Sequence, residues 1–266
     1  MNCRQHCPIV RTRGFTLTEA AVVMIIVALV LGGLLAPLSA QNDLRASSET
    51  KAALVDIRDA LIGFALANGR LPCPASPMIA SGDAQAGVEE SPLSTGCANV
   101  AGVIPWATLG LGETDAWGGR YTYVVNAKFT RPPPLASFAA GECSGSTYTP
   151  PLPTAAGFAL CTTSDLSVKN TVGGTEIAAG VPAMIISHGK NGFGAFLSSG
   201  VQIPNTTDND EIENILIKDL TSGKWKGAGS EKVFIKKTAT STFDDELIWI
   251  PASLLYSRMI TAGKLP

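Results

Sequence analysis

Hydrophobic positions follow three different patterns along this chain. Ala20 to Ala40 is an unbroken run of 21 uncharged residues, AAVVMIIVALVLGGLLAPLSA. At about 1.5 Å of rise per helical residue it reaches roughly 30 Å, the thickness of a bilayer's hydrocarbon core. No other run of this kind occurs, so the pattern predicts one membrane span. The spacing then changes. Leu54, Ile57, Leu61, Phe64 and Ala65 recur at steps of three and four. Asp43, Arg45, Glu49, Lys51, Asp56, Arg58 and Asp59 fill the other faces. That spacing predicts a helix with one buried stripe. Asn68-Gly69 stops it, and Pro72 cannot continue it. The expected helix covers 15–68, with its first part, about 15–40, in lipid. Its second part needs a sheet to cover the stripe. Pro37, after Gly32-Gly33, predicts a kink or soft spot near 32–37, because proline removes a helix hydrogen bond and crowds a carbonyl.

The third pattern is a series of short apolar segments separated by loops. Residues 69–110 are rich in Pro, Gly, Ser and Ala and read as a long ordered loop. Strands are expected at 120–126 (RYTYVVN), 158–162 (FALCT), 183–187 (AMIIS), 194–197, 232–236 and 247–250. No strand–helix–strand alternation is visible, so the sheet should be mostly antiparallel and the fold class α+β. Pro251 can open a last helix to Ala262, with Gly263 as its stop.

Charge and cysteine divide the chain in the same way. Residues 1–14 hold Arg4, Arg11 and Arg13 and no acid; the remainder carries 17 basic against 22 acidic residues. Arginines before a span hold the N-terminus in the cytoplasm, which sends the rest of the chain to the other side. The net charge of -2 gives no electrostatic case for nucleic acid. Cys3 and Cys7 lie in the basic head, and Cys73, Cys97, Cys143 and Cys161 lie far downstream. Four cysteines in an exported body point to two disulfides. Three connectivities are open. Nearest-neighbour pairing, Cys73 with Cys97 and Cys143 with Cys161, is the expected one, each bond closing a loop; buried free thiols are the alternative.

Two ordinary explanations of the apolar run fall short. A secretory signal is cut at a small-x-small site after the run, but Pro37-Leu38-Ser39-Ala40 puts Leu38 where a small residue is wanted. No cysteine follows the run to accept lipid. A plain single-pass anchor leaves Glu19 unexplained at the edge of the run. An ionisable residue there costs roughly 2–3 kcal/mol or more unless it finds a partner.

Arg13-Gly14-Phe15-Thr16-Leu17-Thr18-Glu19, followed by the apolar run, resembles the cleavage and methylation signal of type IV pilins and type II secretion pseudopilins. The strong likeness covers about residues 11–45. It implies that a membrane prepilin peptidase cuts between Gly14 and Phe15 on the cytoplasmic side and then methylates the new amino terminus at Phe15. It also implies a pilin-like fold: a removed leader at 1–14, an N-terminal helix at 15–68, and a periplasmic globular domain at 69–266. Glu19, fifth in the mature chain, would pair with the amino terminus of a neighbouring subunit. In low dielectric such a pair is strong, and its desolvation is costly as well. The resemblance further implies partners: other pilin or pseudopilin subunits, the inner-membrane assembly machinery and the membrane itself.

Two downstream segments extend the likeness. Asp115-Ala-Trp117-Gly-Gly-Arg-Tyr121 resembles the D-x-W-G-x-x-Y turn of major pseudopilins, and reads as a structural turn with Trp and Tyr in the core. Ile186-Ser-His188-Gly-Lys-Asn-Gly-Phe-Gly194 and the acidic run Asp208, Asp210, Glu211 resemble that family's calcium-binding end. Clustered oxygen ligands suit calcium. The insertion between the two parts is unlike the compact loop of the family, and no EF-hand spacing is present.

Enzymatic chemistry finds little to work with. His188 is the one histidine after residue 14, so a His-based triad or zinc site would rest on it alone. Gly189 to Gly194 lacks the spacing of a phosphate loop. The expectation is a non-enzymatic structural subunit: a minor pseudopilin in the fibre of a type II secretion system. Loops beyond those of the major subunits keep a minor type IV pilin, serving adhesion, motility or DNA uptake, as the alternative. A tethered periplasmic binding protein or enzyme that never assembles is the alternative of another class.

Overall fold

The computed structural model describes residues 14–139, 142–143, 151–229 and 232–266, without the side chains of Leu31 and of 33–39. It divides at Arg45 into two units, the second being Ala46–Pro266. One helix, α1, runs Leu17–Asn68.

In the first unit the helix carries apolar side chains on every face. Leu17, Met24, Ile25 and Leu29 are all exposed. Among the described residues, no helix is long and apolar enough to cross a membrane. Much of the predicted span, Leu31 and 33–39, lies outside the described side chains, and the kink expected near 32–37 falls largely on it.

In the second unit the three–four spacing does what the pattern predicts. Leu54, Ile57, Leu61 and Ala65 are buried, joined by Ile62. Phe64 is half-buried instead, beneath the Arg70 guanidinium at 5.2 Å. The stripe lies in one core with Val124, Ile185, Leu247 and Leu255. Each such side chain contributes roughly 1.5–3 kcal/mol on burial.

The strands are β1 Ala101–Val103, β2 Gly119–Arg120, β3 Thr122–Val125, β4 Ser167–Lys169, β5 Glu176–Ala178, β6 Ala183–Ser187, β7 Phe196–Leu197, β8 Leu216–Lys218, β9 Trp225–Gly227, β10 Val233–Ile235 and β11 Glu246–Ile250. The main sheet has the order β1-β3-β6-β11 and is antiparallel throughout. Its centre, β6, is buried along its whole length, as an apolar run with a neighbour on each side requires. Smaller sheets join β10-β4-β5, β2-β7 and β8-β9. The β4–β10 pair is parallel; the other pairs among the described residues are antiparallel. The molecule is thus a mixed α+β protein with antiparallel sheets.

Among the described residues a 3-10 turn at Ala127–Phe129 and three short α-helices complete it: α2 Trp106–Leu109, α3 Asn209–Ile212 and α4 Ala252–Thr261, which starts after Pro251 and ends near Gly263 as its sequence predicts. The segment 158–162 is not a strand. It turns at Ala159–Thr162, and Phe158 packs on Phe129 with ring centroids 5.0 Å apart. The loop 69–110 contains β1 and α2 as well as irregular backbone. Cys73 is bonded to Cys97 and Cys143 to Cys161, the nearest-neighbour connectivity. Cys3 and Cys7 lie outside the described residues.

Candidate functional site

Gly14 precedes the helix in open space, with nothing within 4 Å of where a side chain would start. Phe15 follows it and is 82% exposed. The helix then begins with a reciprocal cap. The Glu19 carboxylate accepts the Thr16 amide at 2.9 Å and the Thr16 hydroxyl at 2.8 Å, and the Glu19 amide donates to Thr16 Oγ1 at 3.3 Å. This is the Thr-x-x-Glu capping box, which satisfies orphan amides at a helix start. The four letters were readable in the sequence, and they give Glu19 a local role. One carboxylate can cap its own helix and also carry a charge toward a neighbour.

Arg11 and Arg13 lie outside the described residues. The D-x-W-G-x-x-Y segment is a structural turn. Asp115 Oδ1 accepts the amides of Trp117 at 3.0 Å and Gly119 at 2.9 Å, and Oδ2 accepts the Ser187 hydroxyl at 2.5 Å. Tyr121 is buried as expected, and Trp117 is half-buried. Burial, with the Asp115 charge nearby, pushes the Tyr121 phenol up to about 12.

The acidic run separates into different roles. Asp208 caps α3: its Oδ1 accepts the Asp210 and Glu211 amides, and its Oδ2 accepts the Thr242 hydroxyl at 2.7 Å. Asp210 pairs with Lys237 at 2.5 Å. Neither points to a shared ligand, so the three acids of the loop do not form one site. Glu211 alone turns inward. It meets Asp244 and Asp245 from the segment before β11, and one oxygen of each lies within 4.8 Å of the others.

These three carboxylates are held from behind. Asn191 Nδ2 donates to Glu211 Oε1 at 2.5 Å, the Asn191 amide donates to Asp244 Oδ2 at 2.9 Å, and Asn214 Nδ2 donates to Asp245 Oδ2 at 2.8 Å. Asn214 is fixed in turn by the Ile235 backbone at 2.8 and 3.0 Å. Gly189, at φ +60°, passes so near Asp244 that a side chain there would meet its backbone oxygen at 2.4 Å. His188 is buried after β6, its Nε2 2.9 Å from Thr122 Oγ1 and its Nδ1 3.6 Å from Asp245 Oδ1. Burial pushes the Glu211 and Asp244 carboxyls up; hydrogen bonds from Asn191 and Thr206 to Glu211, and from the Asn191 and Lys190 amides to Asp244, oppose this, and the neighbouring acids add to it. Glu211 was among the sequence candidates; Asp244 and Asp245 were not. The acidic triplet Asp244-Asp245-Glu246 between Phe243 and Leu247 was the available signal, since burying charge there needs a reason.

Compared with family models, curated proteins and solved structures, the chain matches none.

Proposed function

We propose that this chain is a structural subunit, a minor pseudopilin, that assembles into the fibre of a type II secretion system after removal of residues 1–14. One observation carries the reading: Arg13-Gly14-Phe15-Thr16-Leu17-Thr18-Glu19 stands at the start of a 21-residue uncharged run. A peptidase needs an accessible backbone, and Gly14-Phe15 is exposed. An assembly helix needs apolar side chains waiting to be covered, and residues 22–30 supply them. In this reading the run anchors the precursor in the inner membrane with the N-terminus cytoplasmic and the disulfide-bonded domain periplasmic. Cleavage creates a cation at Phe15, and the Glu19 of one protomer neutralises that of the next. The D-x-W-G-x-x-Y turn favours secretion over a surface pilus. The protein acts by packing rather than by catalysis.

The test compares Glu19→Ala with Glu19→Gln in cells that retain the peptidase. Glutamine keeps the capping box and loses the charge. Both variants should be processed normally, with Phe15 found N-methylated by mass spectrometry, and both should drop out of sheared fibres. Normal fibre incorporation of Glu19→Gln would reduce Glu19 to a helix cap. A wild-type chain still carrying residues 1–14 would refute the reading outright.

A further inference from the structure

Among the described residues, a cavity of about 330 Å³ opens where four distant segments meet: the end of β3, the Ala127–Phe129 turn, the residues leading into β4, and β9. Its floor is apolar, built from Val100, Val125 and Leu166. Its rim carries Lys128, Lys226 and Lys232 against one acid, Asp165. That is a local positive excess on a body whose residues 15–266 hold 17 bases against 22 acids. An apolar floor with a few charged groups at this volume is the make-up of a binding site.

Asn126 sets the rim from both ends of its amide. Its Oδ1 accepts the Lys128 amide at 3.0 Å, and its Nδ2 donates to Asp165 Oδ1 at 2.8 Å. The lysine heads are held lightly. Lys232 reaches Asp165 at 2.6 Å with both side chains more than half exposed, and Lys226 reaches Asp219 at 3.0 Å. Lys128 Nζ donates to the Thr163 carbonyl at 3.3 Å. Exposed pairs of this kind contribute little to stability, so an arriving carboxylate can draw these ammonium groups to itself at small cost.

We propose that this cavity docks an extended acidic segment of a partner protein, with an apolar side chain on the floor and flanking carboxylates against Lys128, Lys226 and Lys232. Charge complementarity selects an acidic partner. The form of the cleft selects a polypeptide over a free small molecule. A small ligand gains its affinity by being mostly enclosed, whereas this cleft is open on one side, where a chain can continue across the surface. The assignment does not depend on fibre assembly.

The experiment titrates the processed full chain, in a non-ionic detergent, with the peptide acetyl-Asp-Leu-Asp-Val-amide and reads the heat of binding. The peptide should bind with a Kd below about 1 mM at about 50 mM salt, and several-fold more weakly at about 500 mM. Lys128→Gln together with Lys232→Gln should weaken binding roughly three- to tenfold. Val100→Phe, which fills the floor, should abolish it. Lys224→Gln, at an exposed lysine outside the cavity, should leave it unchanged. The proposal is overturned if the peptide does not bind within that limit, or if acetyl-Asn-Leu-Asn-Val-amide binds equally well. It is overturned equally if Lys224→Gln weakens binding as much as the paired rim substitution, the attraction then being diffuse surface charge. Tighter binding of hexanoate than of the peptide also overturns it and makes the cavity a small-molecule site. Near-ultraviolet circular dichroism checks the fold of each variant, and should Val100→Phe misfold, the lysine variants and the uncharged peptide still decide.

Discussion

Arg120 offers a sharp test of how this fold uses its few charges. It is 0% exposed, although only 16% of the chain is charged and the side chain is among the most polar available. Its Nη1 donates to the Pro77 carbonyl at 2.8 Å and its Nη2 to the Ser198 carbonyl at 3.1 Å. Its Nε donates to Glu113 Oε1 at 2.9 Å, and the guanidinium lies 4.7 Å from the Trp106 ring centroid. One side chain thus ties the loop after Cys73, the segment before β2, and the turn after β7. Arg120→Met keeps most of the volume and removes the donors. The Pro77 carbonyl loses its partner at about 1–3 kcal/mol, whereas the Ser198 carbonyl keeps the Ser81 amide and hydroxyl and Glu113, 24% exposed, can turn to water. With the cation–π contact to Trp106 also lost, the expected cost is about 2–4 kcal/mol. For a unit of this size that lowers the melting temperature on the order of 4–16 °C. Arg120→Lys keeps the charge without the planar fork and should lose about half as much. Urea midpoints and near-ultraviolet circular dichroism of the full chain measure both. A loss below about 1 kcal/mol for Arg120→Met, or an equal loss for lysine, would show that the fork is not what holds these loops.

Two further outcomes follow from buried links elsewhere. The Cys73–Cys97 bond has a sequence separation of 24. Replacing both cysteines by serine should therefore lower stability by about 3 kcal/mol in the chain-entropy account, read from urea unfolding with and without reductant. Burial pushes Glu142 up, but hydrogen bonds from Arg131, Thr162 and the Ala139 amide outweigh it and hold the carboxyl below its ordinary value. Because the folded value is the lower one, this stabilisation is present above about pH 4.3 and is lost as pH falls through the folded value. A pH series of urea midpoints should show that acid limb, and Glu142→Gln should flatten it.

What the sequence disclosed and what it withheld follow from the range over which each feature is encoded. The proposed processing signal is contiguous because a peptidase reads a contiguous stretch, so Gly14, Phe15 and Glu19 stand out in order. The stripe from Leu54 to Ala65 and the strand β6 were equally plain, because one is periodic over several turns and the other is an apolar run of full strand length. Strands β1, β4, β5, β8 and β9 have three residues each, too few for a period to register. They exist because a partner arrives from far along the chain, as β10 does beside β4. The segment 158–162 misled for the converse reason: its apolar residues fill a core pocket from a turn, and composition alone cannot tell that from a strand. Asp244 and Asp245 were hidden because neither is spaced from Glu211 by any helix or strand period; only the fold brings them together.

The buried charges then become informative by comparison with one another. Arg120 meets two carbonyls and Glu113. Arg131 and Glu142 form a two-pronged pair at 2.8 and 2.7 Å, and the same carboxylate accepts from Thr162 and Ala139. Both clusters lie where loops meet, and both are closed: the donors and acceptors answer one another without help. The trio of Glu211, Asp244 and Asp245 is built to the same plan on one side, with asparagine donors set behind each acid, and on the other side three oxygens face one another unanswered. The consequence is electrostatic: buried like charges this close favour the protonated form, so the Glu211 and Asp244 carboxyls are pushed up, whereas Glu142, answered by Arg131, Thr162 and the Ala139 amide, is held down.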